Sequence, residues 1–416
     1  MKIDIPYGKE TVPLEIDDER VMAVIGLNEV DVGDEEATLR QAVENPLNSP
    51  SFSEFISGTD EILFIINDGT RPTPTARMLD ILKDDIATIP NLRFLIATGT
   101  HRAANEEECL RIFGESFYGT YADRVISHDA KEHEMVDLGI THFGTPVRLN
   151  HIAFEADRIV VISSVEPHYF SGYTGGRKSI FPGVAAFDTI EKNHSLSMKP
   201  GAAPLALDGN PVHKDILESL ELLGDKPIFS IQSVLSHDHR IYATTAGDIH
   251  KSFNAAIGNA NEVFSTPIEA KADIVLSAAP FPMDASLLQL QKALNNGKAG
   301  MKDDGILILS GECPEGVGGG KFYGLMKDVR DPYRVVDVTQ RFYKLGYHIA
   351  YNMANMAING GIFLVSSIPD DTVIDMFITP MPSIEFAVDR AFKIKGKDAK
   401  ILILTYGSLT VPYVRE

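Results

Sequence analysis

Tryptophan is absent from this chain of 416 residues, and cysteine occurs only as Cys109 and Cys313. Two cysteines so placed form neither a disulfide framework nor a metal-ligand spacing, and such usage fits a reducing compartment. Basic charge is scarce as well: 38 Lys and Arg stand against 58 Asp and Glu, a net charge of −20. With no cationic surplus to neutralise phosphates, nucleic acid is excluded as the expected partner. No apolar run reaches the roughly 20 residues that a membrane span needs. The start, MKIDIPYGKE, lacks a basic region followed by an apolar one, so the expectation is a cytoplasmic protein. Walker, nucleophile-elbow, HExxH and CxxC patterns are all missing. What remains is a globular composition, 44% apolar and 23% charged, in a chain long enough that two domains are the default.

Local patterning gives the fold class. Ile3-Asp4-Ile5 and Val12 to Ile16 alternate around Tyr7-Gly8-Lys9-Glu10 and read as a β-hairpin. Glu61 to Asn67, Leu92 to Ala97 and Arg158 to Ser163 are continuous apolar runs of buried-strand length. Helical patterns follow the first two, at Thr75 to Leu82 and Glu106 to Phe113. Strands alternating with helices mean parallel βαβ units with helices on both sheet faces. The alternation restarts at Ala272 to Ser277, with a helix from Ser286 to Asn295 and strands at Gly305 to Leu309, Gly361 to Val365 and Lys400 to Leu404. The expectation is an α/β protein of two domains, residues 1–265 and 270–416, each a mostly parallel sheet flanked by helices. The stretch Asn254 to Lys271 is the candidate crossing, and the active site is expected in the cleft between the domains.

The irregular loops follow strands, where ligands gather in such sheets. Asp68-Gly69-Thr70-Arg71-Pro72 presents Arg71, a fixed fork of donors suited to a carboxylate or phosphate, beside Asp68, which can accept from a ribose hydroxyl or orient a histidine. Ala97 to Arg102 places His101 just past a strand end. Glu166 to Ala185, EPHYFSGYTGGRKSIFPGVA, is the most telling segment: it holds His168, the pair Gly175-Gly176 and the pair Arg177-Lys178 with no helical or strand period. Glycines let a backbone approach a ligand closely, and lysine is readily tuned as a nucleophile. Two histidines at two strand ends suggest an acid/base pair acting on opposite faces of a substrate. His194 has no second His or Cys at ligand spacing. It reads either as a structural histidine or as a ligand to a metal whose other ligands come from a cofactor. Gln289 and Lys292 share one helix face, either exposed or clamping an anion. Gly316 to Gly320 reads as a flexible loop or lid.

Taken together, DGTRPTPT (Asp68 to Thr75), ATGTHR (Ala97 to Arg102), EPHYFSGYTGGRKSIFPG (Glu166 to Gly183), Asn193-His194 and LQLQKAL (Leu288 to Leu294) resemble the nickel-pincer lactate racemase family. The resemblance spans nearly the whole chain. It implies a racemase or epimerase of 2-hydroxy acids that uses a nickel complex of a dithio-modified nicotinic acid mononucleotide, with cofactor-biosynthesis enzymes as partners. By that resemblance Lys178 carries the nucleotide through a thioamide and His194 completes the nickel coordination. His101 and His168 are then the acid/base pair. Arg71, Gln289 and Lys292 contact substrate, and Asp68, Gly175, Gly176 and Arg177 lie on the cofactor side. Lactate-specific members carry a tryptophan near the substrate. Its absence here, with His348 in the corresponding place, implies a larger or more polar 2-hydroxy acid. A non-catalytic carrier of the nucleotide and a metal-dependent hydrolase are the other readings.

Overall fold

The computed structural model describes residues 1–58 and 60–415. The chain forms two compact units, Glu29–Val263 and a second made of Met1–Asn28 with Phe264–Glu416. In the first, six strands lie in the order Ile241–Gly247, Ile228–Leu235, Arg158–Ser164, Glu61–Asn67, Asn91–Ala97, Val125–Ser127. All neighbours are parallel except the outer pair, Ile241–Gly247 with Ile228–Leu235. The central strands are buried almost end to end, which is why they read as unbroken apolar runs. Phe52, Phe55, Phe64, Phe94, Phe113, Phe117 and Phe229 pack ring against ring on one face.

The second unit is built around another six-stranded parallel sheet, ordered Thr379–Pro380, Gly361–Val365, Met301–Ser310, Ala272–Ala278, Ile401–Leu404, Val21–Ile25. Here the expected boundaries need correction. The first 28 residues, placed by sequence with the N-terminal domain, belong to the C-terminal unit. Val21–Ile25, which the sequence pattern does not single out, pairs with Ile401–Leu404. The hairpin Lys2–Tyr7 with Glu10–Glu15 buries Ile5 and Leu14 in a cluster with Ile274, Leu276, Ile306 and Ile308. Adjacency in sequence says nothing about pairing partners more than 370 residues away. The stretch Asn254 to Lys271 is a helix, Ile249–Phe264, leading into the short strand Ser265–Ile268, and the chain changes unit at Val263–Phe264. Among the described residues no helix is long and apolar enough to cross a membrane.

Candidate functional site

Three neighbouring parallel strands of the Glu29–Val263 unit, Arg158–Ser164, Glu61–Asn67 and Asn91–Ala97, end side by side. Their following loops are the ones that carry Asp68 and Arg71, His101, and His168. Parallel strands point all their carboxyl ends one way, so loops remote in sequence meet at one edge. Side chains fasten them together. Thr73 Oγ1 lies 2.9 Å from Ser164 Oγ and donates to Asn67 Oδ1, Asn67 Nδ2 donates to Ser179 Oγ at 3.1 Å, and the Gly99 N–H donates to the Gly183 carbonyl at 2.9 Å. Between them lies a cavity of about 140 Å³ lined by Asp68, Arg71, His101, His168, Gly175, Lys178 and His194 among others.

The two strand-end histidines are held differently. The His101 Nδ1–H donates to Asp68 Oδ2 at 2.7 Å, leaving Nε2 of an exposed ring to face a ligand. Burial pushes the Asp68 carboxyl up. Hydrogen bonds from His101 and Thr70, with the His101 and Arg71 charges, outweigh it and hold the carboxyl below its ordinary value. His168 is 9% exposed in the small hairpin Pro167–His168 with Gly172–Tyr173. Its Nδ1 accepts from the Phe170 and Ser171 backbone N–H groups at 3.5 and 3.3 Å, so the ring hydrogen sits on Nε2 and faces Lys178 Nζ at 3.1 Å. Lys178 Nζ also donates to Ser171 Oγ at 3.0 Å, and that hydroxyl donates onward to the Tyr173 carbonyl. Burial, reinforced by Arg71 and Arg177, pushes the Lys178 ammonium well below its ordinary value, against the pull of Glu166. Both observations favour the neutral amine at Lys178.

His194 lies within the last turn of the helix Phe187–Ser195, edge-on to Phe170 with ring centroids 5.1 Å apart. Asn193, next to it, donates to the fully buried Asp215 at 2.7 Å, and Asp215 also accepts from Thr141 and Thr145. The helix is therefore anchored through Asn193, which is not among the residues lining the cavity. Glu166, which the sequence reading passed over, is 6% exposed and lies 3.9 Å from Arg71. Its signal was present: a carboxylate beside proline directly after a strand. Ser171 was missed for want of any periodicity in its loop.

The match to known proteins decides the family. Residues 7–204 match the lactate racemase N-terminal domain and residues 268–411 the lactate racemase C-terminal domain. The chain belongs to the lactate racemase family. It is 30% identical to the lactate racemase of Thermoanaerobacterium thermosaccharolyticum over 100% of this chain and 99% of that protein. It is 28% identical to that of Lactiplantibacillus plantarum over 97% of this chain and 98% of that one. The structure of the Thermoanaerobacterium apoprotein superposes with a TM-score of 0.91, covering 100% of both chains. A Thermotoga maritima protein, 17% identical over 93% of this chain and all of its own, shares the fold with a TM-score of 0.68. As a member of the lactate racemase family the chain is an isomerase.

Some expected site residues of this racemase-family chain turn out to have other work. Arg177 is not among the residues that line the cavity. Its side chain is fully buried, donating from Nε to His213 and from the guanidinium to the Thr174, Ser171 and Tyr173 carbonyls, with the Phe253 ring 3.8 Å away. Burial without a carboxylate partner pushes it down to about 9, and the same burial with the Arg177 charge pushes His213 down to about 3. Gly176 serves packing: a Cβ there would meet Ser230 Oγ at 2.4 Å, and its N–H donates to Gln232. Gly175 does line the cavity, at φ +108, where a Cβ would meet Gln232 and Phe253. Arg177→Met removes the side-chain donor from the buried Thr174 and Ser171 carbonyls, each a loss of about 1–3 kcal/mol, while the Tyr173 carbonyl keeps the Ser171 hydroxyl. A fall of at least about 2 kcal/mol in unfolding free energy is expected, read from the urea midpoint at unchanged slope. A shift within error would return Arg177 to the ligand side.

Gln289, Lys292 and His348 belong to the C-terminal unit. Gln289 and Lys292 are half-buried one turn apart in the helix Leu287–Ala299. His348, expected beside the substrate, is instead 4% exposed in the helix Tyr347–Asn359, its Nδ1 2.8 Å from the Tyr343 hydroxyl. Burial pushes its ring down to about 4, so it is neutral at physiological pH.

Proposed function

We propose that the chain inverts C2 of a 2-hydroxy acid, lactate or a larger or more polar analogue, using a nickel-pincer nucleotide attached at Lys178. The observation that carries this reading is the pair of histidines held in opposite tautomers at one cavity, with a lysine amine beside them. Inversion through a planar 2-keto acid needs one group to take the hydroxyl proton on one face and another to return it on the other. His101, with Nδ1 tied to Asp68 and Nε2 left over, suits the first role, and His168, whose Nε2 faces Lys178 at the cavity, suits the second when it carries the proton as an imidazolium. The reverse direction exchanges the roles.

The residues fit the cofactor. Among the described residues no three His, Cys, Asp or Glu side chains gather as a metal-binding group, so a nickel ion held by His194 must draw its other ligands from a bound molecule. The Lys178 amine supports covalent attachment, and the cavity walls at Gly99, Gly175 and Gly183 suit a flat ring. When bound, the nucleotide supplies the hydride acceptor and donor. Arg71 takes the substrate carboxylate, and Gln289 and Lys292 are further substrate contacts. Asp68 orients His101, a role its 2.7 Å hydrogen bond supports better than a nucleotide contact. The buried His348 is left out of the substrate set, while the missing tryptophan still favours an acid larger than lactate. Cofactor-biosynthesis enzymes are partners in this reading, and the setting is cytoplasmic. A passive carrier has no need of two tautomer-fixed histidines, and a hydrolase would need a metal triad that is not found among the described residues.

The test uses protein made in a host that synthesises the nucleotide. Intact mass and peptide mapping are expected to place an adduct on Lys178, and chiral analysis of lactate, malate, aryl-lactates and sugar acids to show racemisation. Active protein with unmodified Lys178 would overturn the attachment. Lactate winning the panel by a wide margin would refute the larger-substrate reading.

A further inference from the structure

Lys178 shows more than a place of attachment. Its Nζ is the meeting point of one donor and one acceptor: the His168 Nε2–H at 3.1 Å and the Ser171 hydroxyl oxygen at 3.0 Å. A neutral amine matches this pair, accepting from the imidazole and donating to the hydroxyl. An ammonium does not, because it has no lone pair to receive the imidazole hydrogen. The acceptor role of His168 Nδ1 is fixed by two backbone N–H groups, and Ser171 is committed to the Tyr173 carbonyl. The arrangement is therefore pinned from both sides by main chain. The charged groups around it are Arg71, Arg177 and Glu166, two cations against one anion. The Phe170 ring, 5.2 Å from Nζ, closes the apolar side.

We propose that the chain acylates itself at Lys178: the amine attacks the carbonyl or thiocarbonyl carbon of an aromatic ester or thioester entering the cavity, without a second protein, and His168 acts as the positioning residue for that amine. A new C–N bond forms, the C–O or C–S bond to the leaving alcohol or thiol breaks, and the proton lost from nitrogen passes to that leaving group, giving an amide, or a thioamide from a thiocarbonyl, with no change of oxidation state. The inference rests on the reading of Lys178 as the attachment point and adds that the chemistry of joining is built into this chain. His168 thus serves twice, first holding the nucleophile and then acting in turnover.

The probe is 4-nitrophenyl nicotinate, offered to full-length protein from a host that lacks the nucleotide's biosynthesis. One adduct per chain is expected, mapped to Lys178, with stoichiometric release of 4-nitrophenolate. At neutral pH it should form at least about tenfold faster than on surface lysines, since each unit by which an amine's pKa falls adds about tenfold to its neutral fraction. Lys178→Arg abolishes the adduct. His168→Leu slows it by about tenfold or more at neutral pH and moves the bend of the pH–rate profile upward, the rate recovering in alkali; His168→Gln, which keeps a donor, restores part of it. A purely structural His168 would alter stability without moving that bend. Labelling spread evenly over surface lysines, or a His168→Leu profile superimposable on the parent's, overturns the proposal. If Lys178 carries the natural adduct in a competent host yet ignores the ester, self-acylation is wrong and the attachment stands. If the ester reacts there but no natural adduct is found, the reverse holds.

Discussion

Alanine at His101 or at His168 lowers kcat/KM for racemisation in both directions by about 10²–10⁴-fold, the usual contribution of a general acid or base. The expectation follows from geometry. His101 Nδ1–H is tied to Asp68 at 2.7 Å and cannot serve as the acceptor, so its role falls to Nε2. In the proposed reaction His168 serves the other substrate face. Because inversion uses both faces in each direction, neither loss can be one-sided. Rates must be normalised to adduct content by intact mass, since His168 also holds Lys178. Asp68→Asn should cost less than His101→Ala, because the ring survives while its preferred tautomer does not. Near-normal turnover of either alanine variant in fully loaded protein would end the two-histidine mechanism.

His194→Ala should empty the protein of nickel while leaving the fold and the Lys178 adduct in place. The ring is half-buried and makes an edge contact with Phe170, worth about 0.5–1.5 kcal/mol beyond area, and its helix is held by Asn193–Asp215 and by Thr189 on the Pro146 carbonyl. Removing the imidazole therefore costs little stability. Metal analysis of purified protein alongside thermal unfolding decides the matter. Full nickel occupancy with a markedly lowered melting temperature would make His194 a packing residue instead.

The sequence was most informative where strands are buried on both sides. Glu61–Asn67, Gly361–Val365 and the helix Glu106–Phe113 fall where the pattern puts them, because burial on both sheet faces or on one helix face leaves a period that a single chain records. It was least informative at Val21–Ile25, an edge strand whose residues are mostly half-exposed and whose partner, Ile401–Leu404, lies at the other end of the chain. Arg177 shows the same limit at one residue. Beside Gly-Gly and Lys178 it looks like an anion contact, yet its hydrogen bonds to three carbonyls and His213 turn it into the fold.

The order of loops along the chain, their residue types and the α/β alternation were determined by sequence alone, since each depends on local pattern and composition. Which loops share a cavity was legible too, because parallel strands must end on one edge. Tertiary structure decided what one-dimensional order cannot hold: that the first 28 residues complete the C-terminal sheet, that Asp68 fixes the tautomer of His101, and that His168 and Ser171 meet at the Lys178 amine. Hydrogen-bond direction and desolvation depend on distances of a few ångströms between side chains, and only folding sets those distances.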